Sequence, residues 1–247
     1  MKAILFSGGY DSTYLLNKLV KEEKEVMVIC INSNILTDNK NKKESEAREK
    51  IINYLKAKYY NCNILVNKIN VDFDVCNLYN KGLSQPLIWL SFMQLLFAQD
   101  QEHELQLSYI NGDDALNHVQ EIKQIVELSS RFQSGANRKV NITFPLMYYN
   151  KDDILAMLIK EDKFLFENAT SCEGYEEDCG VCTSCIHFKS AMISVYINAK
   201  YFCLNDDDVS YCRDFINDKF KIDIKDISNN KNTINIEDIN DDNNVEG

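Results

Sequence analysis

The sequence predicts an α/β protein: a doubly wound, parallel, five-stranded sheet of Rossmann-like type, followed by a cysteine-bearing helical appendage. Three observations carry that expectation. Five short β-branched or apolar runs alternate with helical patterns long enough to cross over a parallel sheet. The first run, Lys2-Ala3-Ile4-Leu5-Phe6, is apolar after its lysine, as suits a strand covered on both faces. Only 8 glycines and 2 prolines occur in 247 residues, which favours long regular elements over turn-rich β architecture.

Taken in order, residues 2–6 predict the first strand and residues 12–23 the first helix. Residues 26–32 (VMVICIN) form the second strand, followed by a charged helix over 43–60 and a third strand over 63–71. Residues 85–101 read as an apolar helix with Pro86 in its first turn, where a missing N–H costs nothing. A fourth strand over 105–110, a helix over 113–132, a fifth strand over 140–146 and a helix over 151–164 complete a domain spanning residues 1–166. A second unit spans 167–221: a cysteine knuckle over 167–185, a helix over 184–201, and an amphipathic helix over 207–219 capped by Asp206 or Asp207. The stretch 222–247 is Asn, Asp and Ile with little else. Such a segment buries too little apolar surface to offset its ordering entropy, so a disordered acidic tail is expected.

Charge narrows the partners. The formal net charge is −11. The tail, with seven acidic and two basic side chains, supplies −5 of it, and the body remains negative. Broad electrostatic binding to tRNA or DNA is therefore disfavoured. No apolar run approaches the roughly 20 residues of a membrane span. The apolar opening is too short for a secretion signal and lacks a small-residue cleavage site, so a cytoplasmic location is expected. Nine cysteines, an odd number, suit a reducing compartment better than a disulfide framework. Cys30, Cys62, Cys76, Cys203 and Cys212 are scattered and read as small core residues.

The turn after the first strand carries the chemistry. Phe6-Ser7-Gly8-Gly9-Tyr10-Asp11-Ser12-Thr13 lies where a parallel sheet binds ligands, at the carboxyl rim. Its glycines permit close backbone approach, the helix start brings N–H donors and a positive dipole end, and Ser7, Ser12 and Thr13 add hydroxyls. Together they make a cradle for a phosphate or pyrophosphate. Asp11 is the odd member. A carboxylate there either caps the helix or reaches a Mg²⁺ that bridges phosphates. There is no G-x-x-x-x-G-K-[ST] loop and no three-glycine dinucleotide fingerprint. The bland alternative is a Gly-Gly turn with a helix cap and no ligand.

Ser-Gly-Gly-x-Asp-Ser-Thr resembles the PP-loop of the ATP pyrophosphatase superfamily, whose members release pyrophosphate and transfer AMP to a substrate oxygen. The resemblance implies the adenine nucleotide alpha hydrolase type of Rossmann-like fold, with ATP and Mg²⁺ at this turn. It is silent about the acceptor.

Cys172 is followed by Cys179, Cys182 and Cys185, the last three at i, i+3 and i+6 with Gly180 among them. Four thiolates within fourteen residues can close a tetrahedron around Zn²⁺, and a closed four-cysteine set is the structural rather than the catalytic type. Iron–sulfur clusters use other spacings, and a C-x-x-C redox pair needs no extra cysteines. His187, close by, reads as a surface histidine.

With the PP-loop, this Ser-Cys…Cys-Gly-x-Cys-x-x-Cys knuckle resembles 7-cyano-7-deazaguanine synthase, as does Phe144-Pro145-Leu146 followed by Lys151-Asp152-Asp153-Ile154. The resemblance implies zinc at Cys172, Cys179, Cys182 and Cys185, and nucleotide binding by Phe6 through Thr13. It implies catalysis that adenylates a carboxylate for attack by ammonia, with Asp11 and Ser12 in the working part of the loop. Lys151 is read as a phosphate ligand or, at least equally, as a solvated lysine at a helix start. Two family segments are missing. The Tyr-Gly-Gln segment after the second strand is replaced by Asn32-Ser33-Asn34-Ile35, and a Gly-Tyr-Pro-Asp-Cys-Arg segment has no counterpart, the fourth strand running instead into Gly112-Asp113-Asp114. Asp113 and Asp114 are read first as a helix N-cap and a first-turn acid, and second as groups that orient substrate. Two rivals stay open: a related enzyme that modifies a protein, tRNA or DNA, for instance in a defence system, and a non-catalytic nucleotide-binding scaffold. A protein partner and a homodimer are compatible with the sequence.

Overall fold

A computed structural model describes residues 1–33, 38–71, 104–132, 141–172 and 179–222. The helix expected at 85–101 and, apart from Ile222, the acidic tail lie outside them. The described strands β1 (Lys2–Leu5), β2 (Glu25–Ser33), β3 (Asn63–Val71), β4 (Glu104–Gln106) and β5 (Asn141–Thr143) form one sheet in the order β3-β2-β1-β4-β5, parallel at every junction. Strand order reverses beside β1, so the crevice beyond the carboxyl ends of β1 and β4 is the topological switch point of an open α/β sheet.

Alternation along the strands splits the core in two. Ile4 of β1 and Val26, Val28 and Cys30 of β2 join a large cluster with α1 (Tyr10–Glu22) and α2 (Asp38–Lys58). The same cluster takes in α4 (Lys151–Glu161), α5 (Lys163–Asn168), α6 (Thr183–Ile197) and α7 (Asp206–Phe220). Ala3, Met27, Ile29 and Ile31 face the other way, onto Leu116 of a 3₁₀ helix (Asp114–His118) and Ile122 and Val126 of α3 (Val119–Phe132). Helices thus cover both faces. Each fully buried Ile or Leu contributes about 1.5–3 kcal/mol, which is why a near-continuous apolar run in β1 and β2 specifies a central position.

Several expected elements have different bounds, each for a local reason. The first helix starts at Tyr10 rather than Ser12, with Gly9 as its N-cap. Asp11 therefore sits inside the first turn and does not cap the helix. The fourth strand ends at Gln106, although the Leu107 N–H still reaches the Thr143 carbonyl at 3.0 Å. The fifth ends at Thr143 because Pro145 has no N–H to extend a ladder. The helix expected over 113–132 opens as a 3₁₀ turn, and that over 151–164 breaks at Asp162. The final helix is capped by Asn205, which accepts the Asp208 N–H at 2.8 Å, not by Asp206 or Asp207.

The break at Asp162 is tied across the fold. Its carboxylate is 8% exposed and caps α5, accepting from Leu165 N–H, Tyr54 Oη at 2.9 Å and Lys58 Nζ at 2.6 Å. One carboxylate thus fixes α4, α5 and α2 together. Across the boundary expected at 166, Phe188 stacks on Tyr10 of α1 with centroids 4.7 Å apart, and Phe215 meets Phe166 edge-on at 5.1 Å. Asp162→Ala removes three hydrogen bonds, one of them the helix cap, from a buried site. A loss of about 2–3 kcal/mol is expected, read as a lower urea midpoint at unchanged m-value; a loss below 0.5 kcal/mol would show that the junction is held otherwise.

Candidate active site

The turn from β1 into α1 is shaped by one residue. Gly8 has φ +85, and a Cβ there would lie 3.2 Å from the Glu44 carbonyl oxygen, the Ala47 Cβ and the Arg48 Cγ of α2. Both its backbone conformation and the space beside it demand glycine. The Gly8 carbonyl accepts the Thr170 N–H at 3.0 Å, joining the turn to the segment that leads to Cys172. Inside the turn, Ser7 Oγ accepts from Gly9 N–H and lies 3.1 Å from Ser12 Oγ, which donates to the Gly9 carbonyl. No side chain caps the first turn of α1, so its N-terminal dipole is left facing the crevice.

That crevice is a cleft of about 800 Å³ at the switch point. Of the residues expected to bind nucleotide, Phe6, Ser7, Gly9, Asp11 and Lys151 line it. Gly8, Ser12 and Thr13 do not: they sit behind the turn, and Ser12 and Thr13 are buried in α1. Thr13 Oγ1 is, among the described residues, the buried side-chain oxygen or nitrogen without a hydrogen-bond partner. Lys151, first residue of α4, reaches Asp11 with Nζ 2.9 and 2.7 Å from the two carboxylate oxygens and 5.7 Å from the Tyr10 ring centroid. A lysine at a helix N-terminus opposes the macrodipole, and here the Asp11 charge compensates it. The capping box of Asn150 and Asp153 holds the start of α4 in place.

Two further walls complete the cleft, and of their residues only Asp113 is a substrate-orienting candidate in the sequence. The chain leaving β4 contributes Tyr109 and Asp113. Asp113 accepts the Ile110 N–H at 2.8 Å and so closes its own loop rather than capping the helix that follows. Burial raises its carboxyl pKa, against the Ile110 N–H, which lowers it. Burial, with the Asp113 charge beside it, pushes the Tyr109 phenol up to about 12, so it remains a hydrogen-bond donor. Opposite, α6 presents Ser184, His187, Ser190 and Ser194 to the cleft at helical spacing, and Ser194 donates to Asp152 at 2.8 Å. A polar stripe of that kind reads from sequence as a solvated face. Only the packing of α6 against α4 turns it inward.

The cysteines expected to bind metal come together. The sulfurs of Cys172, Cys179, Cys182 and Cys185 all lie within 4.8 Å of one another. Tetrahedral zinc with Zn–S near 2.3 Å requires sulfurs about 3.8 Å apart, and Cys172 and Cys179 are 3.7 Å apart. The N–H groups of Val181 and then Cys182 lower the Cys179 thiol to about 6, while burial drives Cys185 the other way. One thiol that ionises readily, with three further cysteine sulfurs within reach, is a donor set that a divalent cation completes. Gly180, at φ +71, forms the turn between ligands.

A glycine turn at the switch point of an all-parallel sheet, followed by a four-cysteine cluster, defines the class: an α/β protein with a turn suited to phosphate and a knuckle suited to zinc. Residues 93–195 match the family described as queuosine biosynthesis protein QueC. The chain is 25% identical over 205 residues to 7-cyano-7-deazaguanine synthase of Acetivibrio thermocellus, covering 74% of this chain and 88% of that one. It is 24% identical over 217 residues to the protein of the same name from Sulfolobus acidocaldarius, covering 76% of this chain but only 44% of that relative. Among solved structures it aligns with NMN synthetase from Francisella tularensis at 14% identity and a TM-score of 0.39, over 95% of this chain and 88% of that one. The resemblance to the QueC family drawn from the two motifs is borne out by the family match and the two named relatives. No helix among the described residues is long and apolar enough to cross a membrane.

Two outcomes are expected. Protein purified without chelator carries about one zinc per chain, and Cys179→Ser lowers both the zinc content by elemental analysis and the thermal midpoint; a metal-free wild type of equal stability would overturn the assignment. For Asp113, the folded-state pKa lies above 3.8, so its contribution to stability is present below that value and is lost as pH rises through the folded pKa. Asn keeps the Ile110 acceptor without the charge. Asp113→Asn should therefore gain on the wild type as pH rises through that window in thermal melts, and a pH-independent difference would remove the raised pKa.

Proposed function

We propose that this chain adenylates a carboxylate at the expense of ATP and passes it to a nitrogen nucleophile, the substrate being 7-carboxy-7-deazaguanine, the nucleophile ammonia and the product the 7-cyano compound. One observation carries the reading. The PP-loop turn, the Asp11–Lys151 pair and the polar face of α6 converge on one cleft large enough for a nucleotide and a second small molecule. Similarity to two proteins named 7-cyano-7-deazaguanine synthase supplies the substrate.

The chemistry follows from what a carboxylate resists. Oxide does not leave, so ammonia cannot displace it. Attack of the carboxylate oxygen on the α-phosphorus forms a P–O bond and breaks the bond to the β-phosphate. Pyrophosphate departs and an acyl adenylate remains. Ammonia then adds to the acyl carbon, AMP leaves, and a proton is released with the amide. Activation of the amide oxygen by a second ATP releases a second pyrophosphate, and departure of AMP with both amide protons leaves the nitrile. The protein's part is positioning and charge. The uncapped first turn of α1, with Ser7 and Gly9, seats the pyrophosphate, and Lys151 balances its growing charge. Asp11 would hold Mg²⁺, which neutralises phosphate charge when bound. The Tyr109 phenol and the α6 serines are placed to orient the acceptor. The four-cysteine site would hold zinc as a structural clasp, since all its ligands are protein thiolates.

Asp11→Ala and Lys151→Met each break a single, partly buried ion pair. Both variants should stay folded with thermal midpoints near that of wild type, yet lose at least about 100-fold in ATP-dependent pyrophosphate release. Assayed with 7-carboxy-7-deazaguanine and ammonia, wild-type rates in either variant would remove that residue from the machinery. Release only with a protein or nucleic acid acceptor would redirect the substrate, and no release with any acceptor would sink adenylation.

A further inference from the structure

Arg48 lines the same cleft, yet it is only 4% exposed, and nothing in the mechanism above uses it. Its NH1 donates to the Ile31 carbonyl at 3.0 Å and its NH2 to Asn32 Oδ1 at 2.5 Å. Both acceptors are neutral, and no carboxylate of the described residues is ion-paired with it. A guanidinium is always charged and carries five N–H donors. Burying one against neutral acceptors alone is costly, and an anion nearby offsets that cost. The aliphatic stem packs on the Gly8 turn, where the Cγ would meet a Cβ at 3.2 Å, so the cation is built into the wall of the phosphate cradle. Glu44 and Lys40, one and two turns earlier on α2, line the cleft beside it. Asn32 is itself oriented by donating to Asn70 Oδ1 at 2.9 Å, which fixes its oxygen toward the arginine.

We propose that Arg48 is an anion-recognition residue of this cleft: its guanidinium, preset by Ile31 and Asn32, binds an oxyanion of the ligand at the β2 end. The oxyanion is a phosphate of the nucleotide or the carboxylate of the acceptor, and the two sources share the same chemistry. The proposal deepens the adenylation reading and rests on it for the ligand's identity.

Two variants test it. Arg48→Met removes the charge and keeps the stem. Asn32→Asp leaves the arginine in place but hands it an internal carboxylate, spending its charge within the protein. Binding of ATP, adenosine, inorganic pyrophosphate and 7-carboxy-7-deazaguanine is measured by calorimetry, with thermal melts of the ligand-free proteins alongside. Both variants should melt at or above the wild-type midpoint, because a buried cation without an anion has been removed or neutralised. Both should bind the ligand bearing the oxyanion roughly 10- to 100-fold more weakly, the range of a charge-assisted hydrogen bond, with adenosine unchanged. Loss confined to ATP and pyrophosphate assigns the phosphate, and loss confined to the carboxylate ligand assigns the acceptor. Unchanged affinity for all four ligands overturns the proposal. So does an equal loss for adenosine, or Arg48→Met failing to fold while Asn32→Asp binds like wild type, since each makes the arginine structural. If wild type binds no nucleotide, adenylation fails on its own, and pyrophosphate and the carboxylate still decide Arg48.

Discussion

The left-handed bend at Gly8 is the constraint on which the cleft is built. With φ +85 and no room for a Cβ against the Glu44 carbonyl, the chain after β1 can turn back into α1 only through glycine. The same residue accepts the Thr170 N–H, so the bend touches α2 on one side and the approach to Cys172 on the other. Three segments distant in sequence are brought to one backbone position. A side chain there would strain the turn at φ +85 and crowd α2, whose atoms would have to give by a few tenths of an ångström. It is therefore a structural and a functional position for a single reason.

Rigidity spreads from that bend by packing. Tyr10 follows within the first turn of α1 and stacks on Phe188, which with Phe166, Phe215 and Phe220 forms an aromatic cluster beneath the knuckle. Aromatic pairs add to stability beyond the area they bury and have preferred geometries, so α6 is held in a set orientation. That orientation aims Ser184, His187, Ser190 and Ser194 at the cleft. The four thiols clasp the start of α6 from its other end, since Cys182 is its N-cap. A structural zinc there would order the very helix that supplies one wall of the site.

Charge in the cleft is mixed. The chain carries −11 overall, and the cleft is lined by Lys40, Arg48 and Lys151 together with Asp11, Glu44, Asp113 and Asp152; Lys151 is balanced by Asp11, and Arg48 is held by neutral acceptors. An anionic body with cations set into a cleft discourages broad contact with a polyanion. This arrangement suits a small anionic ligand bound deep in the switch-point crevice.

The sequence by itself determined the fold class, the order of the elements, the glycine turn after β1 and the clustering of the four cysteines, because each is written in local patterns. Strand burial appears as an apolar run, a bend as Gly-Gly, a metal site as a cysteine spacing. Element ends escaped where long-range partners set them. Pro145 and the short β4–β5 ladder ended strands early, and Asp162, held by Tyr54 and Lys58 from α2, broke a helix that local propensity would continue. Tertiary structure alone decided that Asp11 pairs with Lys151 across 140 residues, that Ser12 and Thr13 stand behind the cradle rather than in it, and that Arg48 and the α6 serines face the cleft. The reason is geometric. Spacing along a chain fixes which residues share a face, but only the packing of that face against others fixes what it meets.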